Sequence, residues 1–247
     1  MKKQYTILLF ILAIFFASCG NEKKSQVEKS DGFDKLIEYM ETNGDLVNSK
    51  DFPFFVSAPE VYNGLTKNYL VIDIRMTPDF DSGHIANSVN VRPDSLVKYF
   101  TNSINAKSFD TIVIVCNSGH ASAFCATGIR YLGYDNVFPM KYGLSAWDSV
   151  IALNYRLKNI SDLLIDKLDT TNTAKNPAGK FPVLMTEFSE PYDILKYRLE
   201  IVLSEKIGEN FVTIDEVINN PSSYYIISYW PEDIYKNGHI PSAVNYE

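Results

Sequence analysis

The stretch Ile112–Leu132, IVIVCNSGHASAFCATGIRYL, decides the fold. Its first four residues form a short apolar run of branched side chains, the pattern of a strand buried on both faces of a parallel sheet. Ala121–Leu132 has helical character, and Gly133 just beyond it is a natural stop. Val137–Met140 supplies a further strand. Strand, tight loop, helix, glycine and strand make a βαβ unit. Upstream, Tyr69–Ile74 (YLVIDI) is a second buried-strand run, and Ser57 with Glu60 three residues later forms a capping box ahead of a helix. Residues 52–150 are therefore expected to fold as an α/β domain.

Outward from that unit the chain carries a long-period repeat. Val71–Val91 (VIDIRMTPDFDSGHIANSVNV) matches Ile226–Tyr246 (IISYWPEDIYKNGHIPSAVNY) without a gap at a separation of 155 residues. Gly-His-Ile recurs at 83–85 and 238–240, and Val-Asn at 89–90 and 244–245. A helix start, Thr213 with Glu216, precedes the second copy. The second copy reaches Glu247 without a counterpart of 112–132, so residues 210–247 are expected to be an incomplete copy, either in a fragment or truncated chain or as a degenerate cap. Residues 151–209 are read as a connector, with helical stretches over 161–168 and 192–207 around the polar loop Thr170–Lys180.

The N-terminus reads as an export signal. Lys2 and Lys3 precede thirteen almost wholly apolar residues, Tyr5–Ala17. As a helix these reach only about 20 Å, short of a hydrocarbon core of about 30 Å. The ending Phe16-Ala17-Ser18-Cys19 resembles the lipobox of bacterial lipoproteins. That resemblance implies cleavage after residue 18, acylation of Cys19 and an exported protein held at an envelope membrane by lipid, facing the periplasm or the surface. Residues 19–51 then form a polar tether and a short helix. The whole chain carries 23 basic and 30 acidic side chains, a net charge of −7. Losing residues 1–18 removes two lysines and brings the balance to −9. An acidic surface argues against a nucleic-acid partner. With Cys19 acylated, two thiols remain, too few for a disulfide framework, and no His/Cys spacing suits zinc. No metal or cofactor is expected.

Cys116 ends a buried strand where a helix opens. Gly119 permits a tight turn, so the backbone amides of Asn117, Ser118, Gly119, His120, Ala121 and Ser122 can converge near the sulfur. Together with a helix N-terminus they favour an anion and a thiolate. A thiolate can accept a sulfane sulfur and pass it on, splitting one transfer into two steps. Cys125, among Ala and Phe in the helix, reads as core.

These residues resemble the rhodanese family of sulfurtransferase-like domains in tandem arrangement. The resemblance rests on Asp73-Ile74-Arg75, Asp79-Phe80, Gly83-His84-Ile85, Asn90-Val91, the loop Cys116–Ser122, Gly133-Tyr134…Val137 and Tyr142–Trp147. It implies a parallel central sheet with helices on both faces and a persulfide on Cys116. The donor would be a small sulfur-containing anion, and the acceptor cyanide or a thiol. Asp73 and Arg75 would support the loop as a pair. Thiosulfate-cleaving members carry basic residues where this chain has Asn117 and Ala121, which points to another donor or to persulfide carriage. A Cys-dependent phosphatase would need arginine at position 122, which is Ser. A noncatalytic rhodanese-like binding module stands as the alternative.

Overall fold

In the computed structural model of this protein, residues 30–49, 52 and 54–246 are described. The apolar leader, Cys19 and residues 20–29 of the expected tether lie outside the described residues. Strand β1 (Ser30–Asp31) leads into helix α1 (Phe33–Thr42). Helix α2 (Ala58–Gly64) starts on the expected capping box: the Ser57 hydroxyl accepts the Glu60 N–H at 3.3 Å, and the Ser57 N–H donates to the Glu60 carboxylate at 2.6 Å.

Next come β2 (Tyr69–Asp73), α3 (Thr77–Ser82), β3 (Val89–Asn90), α4 (Pro93–Lys98), β4 (Thr111–Val115), α5 (His120–Tyr131) and β5 (Val137–Pro139). The four strands form one wholly parallel sheet in the order β3-β2-β4-β5. Tyr69 to Asp73 pair in step with Thr111 to Val115. Successive strand side chains point to opposite faces, and both faces are buried. Ile72, Ile74, Ile112, Ile114 and Cys116 join one apolar layer with Leu96 and Val97 of α4 and Cys125, Ala126 and Ile129 of α5. Val71, Val113 and Val115 join the other, with Val61 of α2, Ile85, Met140 and Leu144. The apolar runs lack polar alternation because water touches neither face. This is the α/β sheet with flanking helices that the sequence predicts.

Strand β6 (Met185–Thr186) pairs antiparallel with β1, and helix α6 (Pro191–Ser204) follows it. The helix packs against α1, α4 and α5. Leu195 and Leu203 enter the layer that holds Cys125. The approach is close: a Cβ on Gly128 of α5 would sit 3.0 Å from Leu199 Cδ2. The stretch 161–168, by contrast, makes only one short turn, Ile165–Lys167. Leu163 is 85% exposed and Ile165 68%, so no surface receives an apolar stripe, and short helices need such packing to persist.

Helix α7 (Ile214–Asn219) starts on its own capping box at Thr213 and Glu216. It is followed by β7 (Ile227–Ser228), α8 (Glu232–Asn237) and β8 (Val244–Asn245), with β7 and β8 parallel. The register Ile72–Val89 in the first sheet recurs as Ile227–Val244, the same pair displaced by 155 residues.

Packing of α6 on the sheet layer carries a measurable cost. Leu203 is 2% exposed, so Leu203→Ala is expected to lower unfolding free energy by about 3 kcal/mol in chemical denaturation. Leu163→Ala, at an exposed site, is expected to change it by less than about 0.5 kcal/mol.

Candidate functional site

The C-terminal ends of β2 and β4 lie side by side, and the candidate site is built on them. Cys116 follows β4 directly and is 7% exposed. The chain turns at Gly119, whose φ of +96° is left-handed, and α5 starts at the next residue. The turn aims two amides at the sulfur: Gly119 N–H donates to Sγ at 3.2 Å and Ser122 N–H at 3.4 Å. The thiol itself points at the Ser122 hydroxyl, 3.5 Å away, while that hydroxyl donates to the Gly119 carbonyl at 3.0 Å. Two main-chain donors at the start of a twelve-residue helix form an anion-stabilising pocket around the sulfur.

The loop is held from behind by residues 143–145. Leu144 N–H donates to the Cys116 carbonyl at 2.7 Å. Ser145 donates to the Asn117 carbonyl twice, from N–H at 2.9 Å and from the hydroxyl at 2.8 Å. Both carbonyls of the loop are thereby satisfied from residues 144 and 145. Gly143 has φ +55°, and any Cβ there would collide with the Cys116 carbonyl oxygen. The segment Tyr142–Trp147 is thus the brace of the cysteine loop.

Asp73 and Arg75 form a buried ion pair beside it. Arg75 Nε lies 3.0 Å from both Asp73 carboxylate oxygens and Nη2 is 2.7 Å from Oδ2. Nη2 also donates to the Gly83 carbonyl at 2.6 Å. Arg75 walls a cavity of about 500 Å³ over Cys116. Asn117 and Ala121 line that cavity as well, whereas Ser118 and His120 do not: the Ser118 hydroxyl lies 3.1 Å from His120 Nδ1, and the His120 ring meets Phe211 edge-on at 6.1 Å. His84 stands elsewhere, stacked on Phe80 at 3.8 Å with Nδ1 donating to the Phe80 carbonyl at 2.8 Å.

Several cavity residues escaped the sequence reading, among them Arg92, Leu203, Lys206 and Phe211. Of these four, Arg92 alone left a signal, its position just past the end of β3, since ligands gather beyond the carboxyl ends of parallel strands. The others come from α6 and the chain after it, and only tertiary packing brings them to Cys116. Among the described residues no group of three or more His, Cys, Asp or Glu is placed to hold a metal ion.

Cys125 is fully buried, with its thiol pushed up to about 12 by burial first and by the neighbouring Cys116 charge second. At pH 8 only about one such thiol in ten thousand is ionised. Native-state alkylation at pH 8, read by peptide mass, is therefore expected to leave Cys125 unmodified until denaturant is added. Labelling of Cys125 in the native protein would contradict this assignment.

The family model for the rhodanese-like domain matches residues 57–149. The Escherichia coli K12 protein YibN is 28% identical over 78 residues, 32% of this chain and 54% of YibN. A Buchnera aphidicola protein is 25% identical over 114 residues, 46% of this chain and 75% of its own length. The match thus spans about half the length of YibN. Among solved structures, a rhodanese-related protein from Thermoplasma volcanium is 24% identical with a TM-score of 0.33, covering 38% of this chain and 88% of that one. A rhodanese-like domain protein from Staphylococcus aureus is 25% identical with a TM-score of 0.31, covering 38% and 89%. Residues 57–149, the parallel sheet with its braced cysteine loop, are the part of the chain that matches the rhodanese-like domain model.

Proposed function

We propose that this protein is a sulfurtransferase that carries sulfane sulfur as a persulfide on Cys116 and delivers it to a thiol or cyanide. The observation that carries the reading is the pair of N–H groups of Gly119 and Ser122 directed at the Sγ of Cys116, a residue that lines the cavity. In the loading step the Cys116 thiolate attacks the outer sulfur of a donor persulfide. A bond from Sγ to that sulfur forms, the donor's own sulfur–sulfur bond breaks, and the donor leaves as a thiolate. The two amides stabilise negative charge on Sγ before attack and again when the sulfur is passed on. The buried Ser122 hydroxyl is a third partner for the same atom.

The loop offers no fixed cation to a dianion. Asn117 and Ala121 are neutral, and Arg75 is committed to Asp73 and Gly83. A persulfide donor suits this site better than thiosulfate. Two further readings complete the proposal. Residues 210–247 begin a second rhodanese-like copy, supported by the turn geometry they share with 71–91. The protein is exported and anchored through lipid on Cys19.

Incubation with a persulfide donor followed by intact-mass measurement is expected to add one sulfur to the wild type and none to Cys116→Ser. Absence of the adduct in both would favour a noncatalytic binding module. For the anchor, membrane fractionation of the cell is expected to find the wild type in the envelope pellet and Cys19→Ala in the soluble fraction. A Cys19→Ala protein that still pellets with the membrane would count against lipidation.

A further inference from the structure

The Cys116 cavity is completed by chain that the rhodanese-like domain does not supply. Leu203, Lys206, Ile207 and Phe211 lie beyond residue 149 and form one of its walls. The charges facing the cavity are Arg75, Arg92 and Lys206 against Asp79, Asp94 and Glu205. They are not equally available. Arg75 commits Nε and Nη2 to Asp73 and the Gly83 carbonyl, and Lys206 pairs with Glu209 at 2.9 Å. Arg92 is half-buried, and its guanidinium makes no ion pair or hydrogen bond among the described residues. Its backbone is fixed, because its carbonyl accepts the Ser95 N–H at 3.0 Å as α4 begins. Of the carboxylates, Asp94 accepts the Ser95 hydroxyl at 3.0 Å, while those of Asp79 and Glu205 have no partner among the described residues.

Three cations face three carboxylates, so a dianion entering this cavity finds no net attraction and one guanidinium without a partner among the described residues. A molecule with one carboxylate and one ammonium finds a partner for each, the carboxylate in the planar fork of Arg92. A volume of about 500 Å³ lies within the usual range of small-molecule sites. We infer that the Cys116 cavity selects a small zwitterionic thiol of amino-acid type, and that Arg92 fixes its carboxylate and so sets acceptor specificity. This rests on the sulfur-transfer reading above.

The delivery step balances. The acceptor thiolate attacks the outer sulfur of the Cys116 persulfide and a new sulfur–sulfur bond forms. The bond to Sγ breaks and its electron pair returns to Sγ, which regains the thiolate state facing the Gly119 and Ser122 amides. The proton on the outer sulfur leaves with the product persulfide. Nothing is oxidised or reduced overall.

The test has two arms. In the first, persulfide-loaded protein is offered cysteine, 3-mercaptopropionate (no ammonium), cysteamine (no carboxylate) or 2-mercaptoethanol (neither). For each acceptor, kcat/KM is compared between wild type and Arg92→Gln, which cancels intrinsic differences in thiol reactivity. The loss for cysteine and 3-mercaptopropionate is expected to exceed that for the other two by about ten- to hundredfold, the range of a charge-assisted hydrogen bond, with partial rescue by Arg92→Lys. Equal losses for all four acceptors would reduce Arg92 to a structural part and overturn the inference. In the second arm, unloaded protein is titrated calorimetrically with S-methylcysteine, which cannot react. Binding is expected in the wild type and a loss of at least about tenfold in affinity in Arg92→Gln. Cys116 that takes no sulfur while this Arg92-dependent binding persists would sink the sulfur-transfer reading and leave the zwitterion site standing. No binding in the wild type would overturn the site itself.

Discussion

Asp73 is a carboxylate with no exposure to water, and the frame around Cys116 depends on how that charge is met. Four hydrogen bonds meet it, all from Arg75: one from its main-chain N–H and three from the guanidinium. The same guanidinium reaches the Gly83 carbonyl, and the Asn90 side-chain amide bonds the carbonyls of both Asp73 and Arg75 at 2.9 Å. The end of β2, the exit from α3 and the strand β3 are thereby tied at one point. A buried pair of this kind adds little net stability over an apolar replacement, yet losing one partner costs about 3–5 kcal/mol. Its effect here is positional. It ends β2 beside the cysteine loop and commits Nε and Nη2 of Arg75 away from the cavity.

Residues 226–246 repeat the frame without that pair. At the matching positions stand Ser228 and Trp230, which cannot form it. What remains is the set of local devices. Gly238 has φ +153° where Gly83 has +158°, and Ser242 has +66° where Asn87 has +63°. His239 Nδ1 donates to the Tyr235 carbonyl at 2.8 Å and its ring stacks on Tyr235 at 3.7 Å, as His84 does on Phe80. Asn245 donates to the Trp230 carbonyl at 2.9 Å. The Gly-His-Ile motif is therefore a turn-closing device in both places. Its histidine serves the backbone four residues earlier.

The sheet was legible in the sequence because two buried faces leave an unmistakable mark: Ile112–Val115 and Tyr69–Ile74 contain almost no residue that tolerates water. The cysteine loop was legible because Gly119 and Ser122 stand at fixed, short distances along the chain from Cys116. The brace at Gly143–Ser145 was visible only through the family resemblance, since nothing local says which carbonyls those amides meet. The role of α6 was hidden for a different reason. Its stripe through Leu195, Leu199 and Leu203 announces a buried face but not the surface that buries it. That surface, α4 and α5, is set by long-range packing. Lys206 and Phe211 reach the cavity only as a consequence, so no reading of neighbouring residues could place them there.

The two thiols show how far environment separates identical groups nine residues apart. Both sit in the same apolar layer. Cys116 has two amides and an open cavity, whereas Cys125 has helix and core on every side. A persulfide on Cys116 has one intramolecular hazard. An ionised neighbouring thiol would attack Sγ, close a disulfide and expel the carried sulfur as hydrosulfide. Burial holds Cys125 in its protonated, unreactive form, and negative charge on Cys116 reinforces that state. The core around Cys125 therefore does more than fill the space beneath the loop: under the proposed function it keeps the other described thiol from competing for a sulfur held on Cys116.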